Sequence, residues 1–233
     1  MPGGLKQKLL DRLGLEVYRS GTLANFLSTR PIDLVIDAGA NLGQFARSIR
    51  QKGYLGRIHS FEPVGYVFRA LEKASEEDSQ WTVTNAALGN KPGTEVMNVF
   101  GNHTLSSFLR PTELLRSYDT GAPAATETVN VMTLDEVLLE DSSRYIFLKI
   151  DVQGFEKQVL EGARETLSRT IAISIELPVR HIYAGAWDFR DAIEFIDQIG
   201  FEPAQFRMVS GQPDDAASAM EFDCVFKRKI ALQ

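Results

Sequence analysis

Four carboxylates stand where short apolar runs give way to polar residues: Asp37 after "LVI", Glu62 after "RIHSF", Asp151 after "YIFLKI" and Glu176 after "IAISI". Runs of that length, alternating with helical patterns, read as strands of a parallel sheet. In such a sheet a ligand sits beyond the carboxyl ends of the strands, where these acids collect. Just past the first acid, in "VIDAGANLGQF", Gly39 and Gly43 stand four residues apart. Glycines there let the backbone turn sharply and approach a bound group closely. Lys149 and Asp151 alternate with apolar Leu148 and Ile150. Opposite charges so placed on a central strand are costly unless paired or used. One reading is a structural ion pair, with Glu156 as a further partner. The other is that one of them orients or deprotonates an acceptor hydroxyl, because an alcohol becomes a competent nucleophile only as its proton leaves.

The glycine spacing discriminates between ligands. A dinucleotide loop, G-x-G-x-x-G, would place glycines at 39, 41 and 44, where the chain has Gly39, Asn41 and Gln44. A ligand with a ribose and an amino acid but no pyrophosphate fits better, since an acid ending the second strand accepts both ribose hydroxyls. Glu62 lies 25 positions after Asp37, an ordinary strand-helix-strand interval, and Asn85 in "NAAL" offers an amide where an adenine would lie. This arrangement suits S-adenosylmethionine.

The elements that position these residues are expected as follows. "DLVIDAG", "RIHSFEP" and "WTVTNAALG" are the first three strands, with helices over "LGQFARSIRQKG", closed by Gly53, and "YVFRALEKASEE". An insertion of about residues 90–132 carries two alternating strands, "TEVMNVF" and "ETVNVMT". So long an interruption is a place for substrate contacts, and His103, Ser106 and Ser107 in "GNHTLSSF" are candidates for them. "TLDEVLLED", with Thr133 as cap, leads to a fourth strand, "YIFLKID", a helix over "FEKQVLEGARETLS" and a fifth strand, "IAISIELP". Residues 186–229 supply a last helix and a strand pair. Trp187, Tyr183 and Phe189 either stack on a sugar ring or fill the core. A short amphipathic helix over residues 5–13, with Leu5, Leu9, Leu10 and Leu13, precedes everything; whether it packs on its own domain or on a neighbour is open, as is the oligomeric state.

The 233 residues read as one domain, with 44% hydrophobic and 24% charged residues, an ordinary soluble composition. Lys plus Arg total 25 against 31 Asp plus Glu, a net charge of −6, so no basic face is available for nucleic acid. The single cysteine, Cys224, excludes an intrachain disulfide and reads as a small buried hydrophobe in a strand. No run approaches the roughly 20 apolar residues of a membrane span, and the N-terminus lacks a signal-peptide core, so the cytoplasm is the expected location.

Taken together, "DAGANLGQF", "FEP", "NAALG", "TLSSF", "VMTLDEVL" and "KIDVQGFEKQVLEGA" resemble, in this order, the FkbM family of class I methyltransferases, over residues 33 to 177. The resemblance implies a Rossmann-like α/β fold: a mostly parallel seven-stranded sheet, helices on both faces, a cofactor-binding core over 32–177 and a β-rich insertion between strands three and four. It also implies methyl transfer from S-adenosylmethionine, usually to oxygen, on sugars, glycolipids or secondary metabolites. Carried over by motif, Asp37, Gly39, Asn41, Gly43 and Asp151 line the methionine end of the cofactor, Glu62 holds the ribose, and Asn85 lies near the adenine. Lys149, Asp151 or His181, which follows the fifth strand, serves the acceptor as base or orienting group, and Glu176 contacts substrate. Asp151 and Glu176 could ligate magnesium, but two carboxylates are too few to make a site, and no metal is expected. Position 153, often glutamate in the family, is Gln153 here, so no carboxylate acts from it. The rival readings are a binding module that keeps the cofactor pocket without transfer, and another α/β nucleotide-binding enzyme.

Overall fold

The computed structural model describes residues 26–27, 30–116, 122–212 and 215–229; the helix expected over residues 5–13 lies outside them. β1 (Leu34–Ala38) is buried at every position, because both faces of its sheet are covered. Gly43, at φ 78, begins α1 (Gln44–Gln51), which buries Ala46 and Ile49 and ends as expected at Gly53, whose N–H bonds to the Arg50 carbonyl. β2 (Arg57–Phe61), α2 (Gly65–Ser75) and β3 (Trp81–Thr84) follow. His59 stacks on Phe61, its Nε2 lies 2.8 Å from the Thr84 hydroxyl, and burial pushes it down to about 4.

The chain then leaves the main sheet. β4 (Ala87–Leu88) and β5 (Gly93–Val99) come next, then a 3-10 turn at His103–Leu105, β6 (Arg110–Pro111), α3 (Glu113–Leu115) and β7 (Ala125–Met132). β4, β7 and β5 form a separate three-stranded sheet, the β-rich insertion expected from the sequence. "WTVTNAALG" is therefore two strands, not one. Asn85 Nδ2 donates to the carbonyls of Glu62 and Pro63, and this bend hands the chain from β3 to β4.

α4 (Leu134–Val137) starts in a capping box between Thr133 and Glu136. β8 (Ile146–Ile150) re-enters the main sheet beside β1. The helix expected over 155–168 divides into α5 (Glu156–Glu161) and α6 (Arg164–Arg169). A Cβ on Gly162 would meet the Gly89 carbonyl oxygen at 1.9 Å, so the chain breaks where it crosses the insertion, and the Asp135 carboxylate accepts the N–H groups of Glu165 and Thr166 to start α6. β9 (Thr170–Pro178), β10 (Tyr183–Ala184), α7 (Phe189–Gln198), β11 (Phe201–Gln212) and β12 (Asp215–Arg228) complete the order.

The main sheet runs β11-β12-β9-β8-β1-β2-β3. β3, β2, β1, β8 and β9 are parallel, and β12 and β11 add on antiparallel. Alternation along each strand feeds two cores. Leu34, Ile36, Leu148 and Ile173 face α4 to α7; Val35, Ile58, Phe147 and Ala172 face α1. Cys224 is buried in the first of these and unpaired, as expected. Trp187 and Phe189, both half-buried, pack against the same core, Trp187 edge-on to Phe195 and Phe189 tilted on Phe222, which favours the core-filling reading. Among the described residues no helix is long and apolar enough to cross a membrane.

Candidate active site

The carboxyl ends of β1 and β8 touch. The Asp151 N–H donates to the Ala38 carbonyl, and a Cβ built on Gly39, which sits at φ 73, would lie 1.9 Å from the Asp151 carbonyl oxygen. Only glycine fits there. The N–H groups of Gly39 and Ala40 both donate to the Phe61 carbonyl, which draws the turn over the end of β2. Asn41, also left-handed at φ 52, donates its N–H to Glu62 Oε2 at 2.9 Å, and Val64 N–H donates to Oε1 at 2.9 Å. Glu62 is 6% exposed, and burial pushes it up to about 7 against the pull of those two amides. Gly43 serves packing: a Cβ there would strike the Trp81 ring.

β1 and β8 pair with Asp37 opposite Lys149. Asp37 has no exposed surface, and Lys149 Nζ lies 3.1 Å from its Oδ1, 3.5 Å from Asp151 Oδ2 and 3.1 Å from the Gly39 carbonyl it donates to. Burial would lower the Lys149 pKa, but Asp37 and Asp151 outweigh it and hold the ammonium charged. Burial raises Asp37, and Lys149 pulls it back toward the carboxylate form. The geometry is that of an ion pair, and Asp37 rather than Glu156 is the buried partner.

Gln153, at φ 55, is the next joint. Its Nε2 donates to Asp151 Oδ1 at 3.0 Å and to Glu176 Oε2 at 3.2 Å, its Oε1 accepts from the Tyr183 hydroxyl at 3.0 Å, and its carbonyl accepts from Ser107 Oγ at 2.6 Å. The residue that departs from the family's glutamate thus ties the acids of β8 and β9 together. Glu176 is pushed up to about 9 by burial and by the charges of Asp151, Glu221, Asp223 and Glu156.

A cleft of about 470 Å³ opens over this edge. It gathers Gly39, Asn41, Glu62, Lys149, Asp151 and Glu176, and from the insertion His103 and Ser106. Five expected residues do not line it. Asp37 stands behind Lys149, Gly43 under Trp81, and Asn85 is spent on the bend after β3. Ser107 is buried on the Gln153 carbonyl, and His181, next to the lining residue Ile182, has its Nε2 3.1 Å from Asp188 Oδ1. The cleft also includes Arg207, Glu221 and Asp223, which sequence reasoning missed. The alternation in "EFDCVF" carried that signal, since Glu221 and Asp223 fall on the face opposite Phe222, Cys224 and Phe226. Among the described residues no group of three or more His, Cys, Asp or Glu side chains is arranged to hold a metal ion.

A five-stranded parallel sheet extended by an antiparallel strand pair, with a glycine-turn cleft at its carboxyl edge, is the class I S-adenosylmethionine-dependent methyltransferase fold. The crystal structure of methyltransferase FkbM from Methylobacillus flagellatus KT superposes with TM-score 0.55 at 18% identity, covering 90% of this chain and 46% of that one. TehB from Haemophilus influenzae does so at 0.51 and 8% identity, covering 95% of this chain and 66% of that one. The model of the methyltransferase FkbM domain matches residues 37–203, and the chain belongs to that family. Among curated proteins it is 28% identical over 166 residues to the 31-O-demethyl-FK506 methyltransferase FkbM of Streptomyces tacrolimicus, covering 61% of this chain and 64% of that protein. It is 26% identical over 219 residues to methyltransferase sdnD of Sordaria araneosa, covering 78% of this chain and 82% of that one. The match thus spans less than two thirds of the Streptomyces protein's length.

Proposed function

We propose that the chain is an S-adenosylmethionine-dependent methyltransferase acting on a hydroxyl of a sugar, glycolipid or secondary metabolite. The observation that carries this reading is one cleft with Glu62 and the bare Gly39–Asn41 turn on one side and the Lys149–Asp151 pair on the other. Each Glu62 oxygen is fixed by one backbone N–H and keeps acceptor capacity, which suits a ribose diol. Gly39, Asn41 and Asp151 would hold the amino-acid end. When bound, S-adenosylmethionine supplies an electrophilic methyl group.

The chain's own residues would align the acceptor and receive its proton. Lys149, kept charged by Asp37 and Asp151, is no base; it orients. Glu176, up to about 9, keeps its proton at neutral pH, and His181, beside Asp188, does not line the cleft. Asp151, 41% exposed and lining the cleft, is left as the carboxylate that accepts the proton, a role worth about two to four orders of magnitude in rate. Oxygen as the atom methylated draws support from the Streptomyces relative, whose name specifies an O-demethyl substrate.

The test is incubation with methyl-13C-labelled cofactor and fractionated small-molecule extracts, followed by NMR of the labelled product. An O-methyl resonance that vanishes in Asp151→Asn is expected. An N-methyl or C-methyl product would overturn the oxygen assignment.

A further inference from the structure

A group that receives a hydroxyl proton has to stay aimed while the methyl moves, and an aspartate at a strand end turns about its side-chain bonds unless its oxygens are tied. The Asp151 side chain is 41% exposed, yet both its oxygens have partners: Oδ2 faces Lys149 Nζ at 3.5 Å, and Oδ1 accepts from Gln153 Nε2 at 3.0 Å. Lys149 is fixed in turn by Asp37 and the Gly39 carbonyl. Gln153 needs a partner that fixes it as well, because an amide turned over would present its oxygen to the acids in place of its N–H groups.

Tyr183 is that partner. Its ring is buried with Phe100 and Leu115, and its hydroxyl lies 2.8 Å from the Leu105 carbonyl and 3.0 Å from Gln153 Oε1, two acceptors that share one proton. Burial and the surrounding carboxyls raise its pKa, so the proton stays. On the other side of the amide, Nε2 also donates to Glu176 Oε2 at 3.2 Å. Hydroxyl and acids thus favour the same sense of the amide. The backbone is held too: Gln153 sits left-handed at φ 55, and its carbonyl accepts from the buried Ser107 Oγ at 2.6 Å. A residue kept in that sparsely populated region, with its carbonyl and both amide atoms tied, is over-determined by its surroundings.

We infer that Gln153 is a positioning residue for the reaction, its amide set by Tyr183 and aiming the Asp151 carboxylate at the acceptor. The inference rests on the reading of Asp151 as the group that receives the hydroxyl proton, and it names what holds that group. Each carboxylate oxygen has two lone pairs, so one partner per oxygen fixes the group and leaves it room to take a proton. A glutamate at 153 would bring only acceptors and a further charge to Asp151 and Glu176, whereas the amide brings two donors and no charge. Tyr183 acts through Gln153, and the same hydroxyl ties the insertion, at Leu105, to the edge that carries the base.

The test is carbon NMR of protein whose aspartates carry 13C at the side-chain carboxyl, titrated from about pH 3 to 9 with Asp151→Asn identifying the Asp151 signal. That carboxyl is faced by Lys149 on its own strand, Asp37 from β1, Glu176 from β9, Glu156 from α5 and Tyr183 from β10. Gln153→Met removes the donor at similar length and leaves all five in place. It should move the Asp151 midpoint above the wild-type value by at least about half a pH unit, because a hydrogen bond to the carboxylate is lost. Tyr183→Phe should move it in the same direction by less, since the amide stays but loses what sets its sense. Thr133→Ala, which loosens the fold elsewhere, should leave it unmoved. A midpoint that stays in Gln153→Met, or moves as far in Thr133→Ala, would overturn the positioning role. One that moves in Gln153→Met but not in Tyr183→Phe would overturn the part given to Tyr183. The rate of labelled methyl transfer to the active extract fraction, followed against pH, should shift its acid limb together with the midpoint. An acid limb that stays while the midpoint moves would take the base role from Asp151. Failure of wild type to bind S-adenosylhomocysteine would overturn the methyltransferase reading itself, and is read separately by calorimetry.

Discussion

Lys149→Met removes the ammonium facing a carboxylate that has no contact with solvent. Asp37 would keep one hydrogen bond, a long one of 3.3 Å from Ser60 Oγ, and the Gly39 carbonyl would lose its 3.1 Å donor. Removing one partner of a buried ion pair costs about 3–5 kcal/mol. For a chain of this size that lowers the melting temperature by about 6–20 °C. The loss should depend on pH with a definite sign. Burial already raises Asp37 above its ordinary 3.8, and without Lys149 it rises further. The folded variant then holds a proton that the unfolded chain releases, so its stability falls as pH rises above 3.8, and its deficit against wild type grows toward alkaline pH. Urea and thermal melts of the ligand-free protein at about pH 5 and about pH 8 measure this. Adding Asp37→Asn to Lys149→Met should recover at least about half the loss, because no buried charge remains. Simple additivity of the two substitutions, or a deficit independent of pH, would refute the buried-pair account.

Gly39→Ala should be far more damaging than Gly53→Ala. Both glycines have positive φ, which costs about 1–3 kcal/mol for alanine, but only Gly39 has the Asp151 carbonyl where the methyl would go, so urea midpoints should separate clash from backbone strain. Thr133→Ala should cost about 1 kcal/mol through the lost capping box and leave S-adenosylhomocysteine affinity unchanged, as paired melts and titrations would show. Wild-type stability should decline from about pH 4.5 to 9, more steeply below about pH 7 than above it. Glu62 and Glu156, raised to about 7, and Glu176, raised to about 9, keep protons in the folded state that the unfolded chain has lost above 4.5. His59, lowered to about 4, acts with the opposite sign only below 6.5, and Asp141, lowered to about 2, only below its ordinary 3.8. Glu176→Gln should flatten the slope in urea melts, and a slope that rises with pH would contradict the burial of these acids.

What the sequence disclosed was the parallel part of the sheet, because β1, β2, β8 and β9 each carry or meet an acid at or near their carboxyl ends. The same stretches disclosed the glycine turn and the motif order of the family. It did not disclose that Asp37 would sit behind Lys149, since the register between β1 and β8 joins residues 112 positions apart. The break at Gly162 came from a contact with Gly89 across the fold, and the split at Asn85 from carbonyls of another strand's end; neither is a local preference. His181 looked available because it follows a strand carrying Glu176; its neighbour Ile182 lines the cleft, while its own Nε2 lies 3.1 Å from Asp188 Oδ1, a contact no local pattern announced. Arg207, Glu221 and Asp223 were hidden by topology. Only the antiparallel docking of β12 on β9 brings the last strands to the cleft.

The most direct measurement is isothermal titration of wild type, Glu62→Gln and Glu62→Ala with S-adenosylhomocysteine, with NAD as a control. Glu62 sets the Asn41 and Val64 amides and is the acceptor assigned to the ribose, with charge-assisted hydrogen bonds worth about 1.5–3 kcal/mol each. Wild type should bind one equivalent and ignore NAD, Glu62→Gln should be weaker, and Glu62→Ala should lose at least about tenfold in affinity. Unchanged affinity in Glu62→Ala would remove the ribose from this site, and a wild type that binds no S-adenosylhomocysteine would contradict the account at its centre.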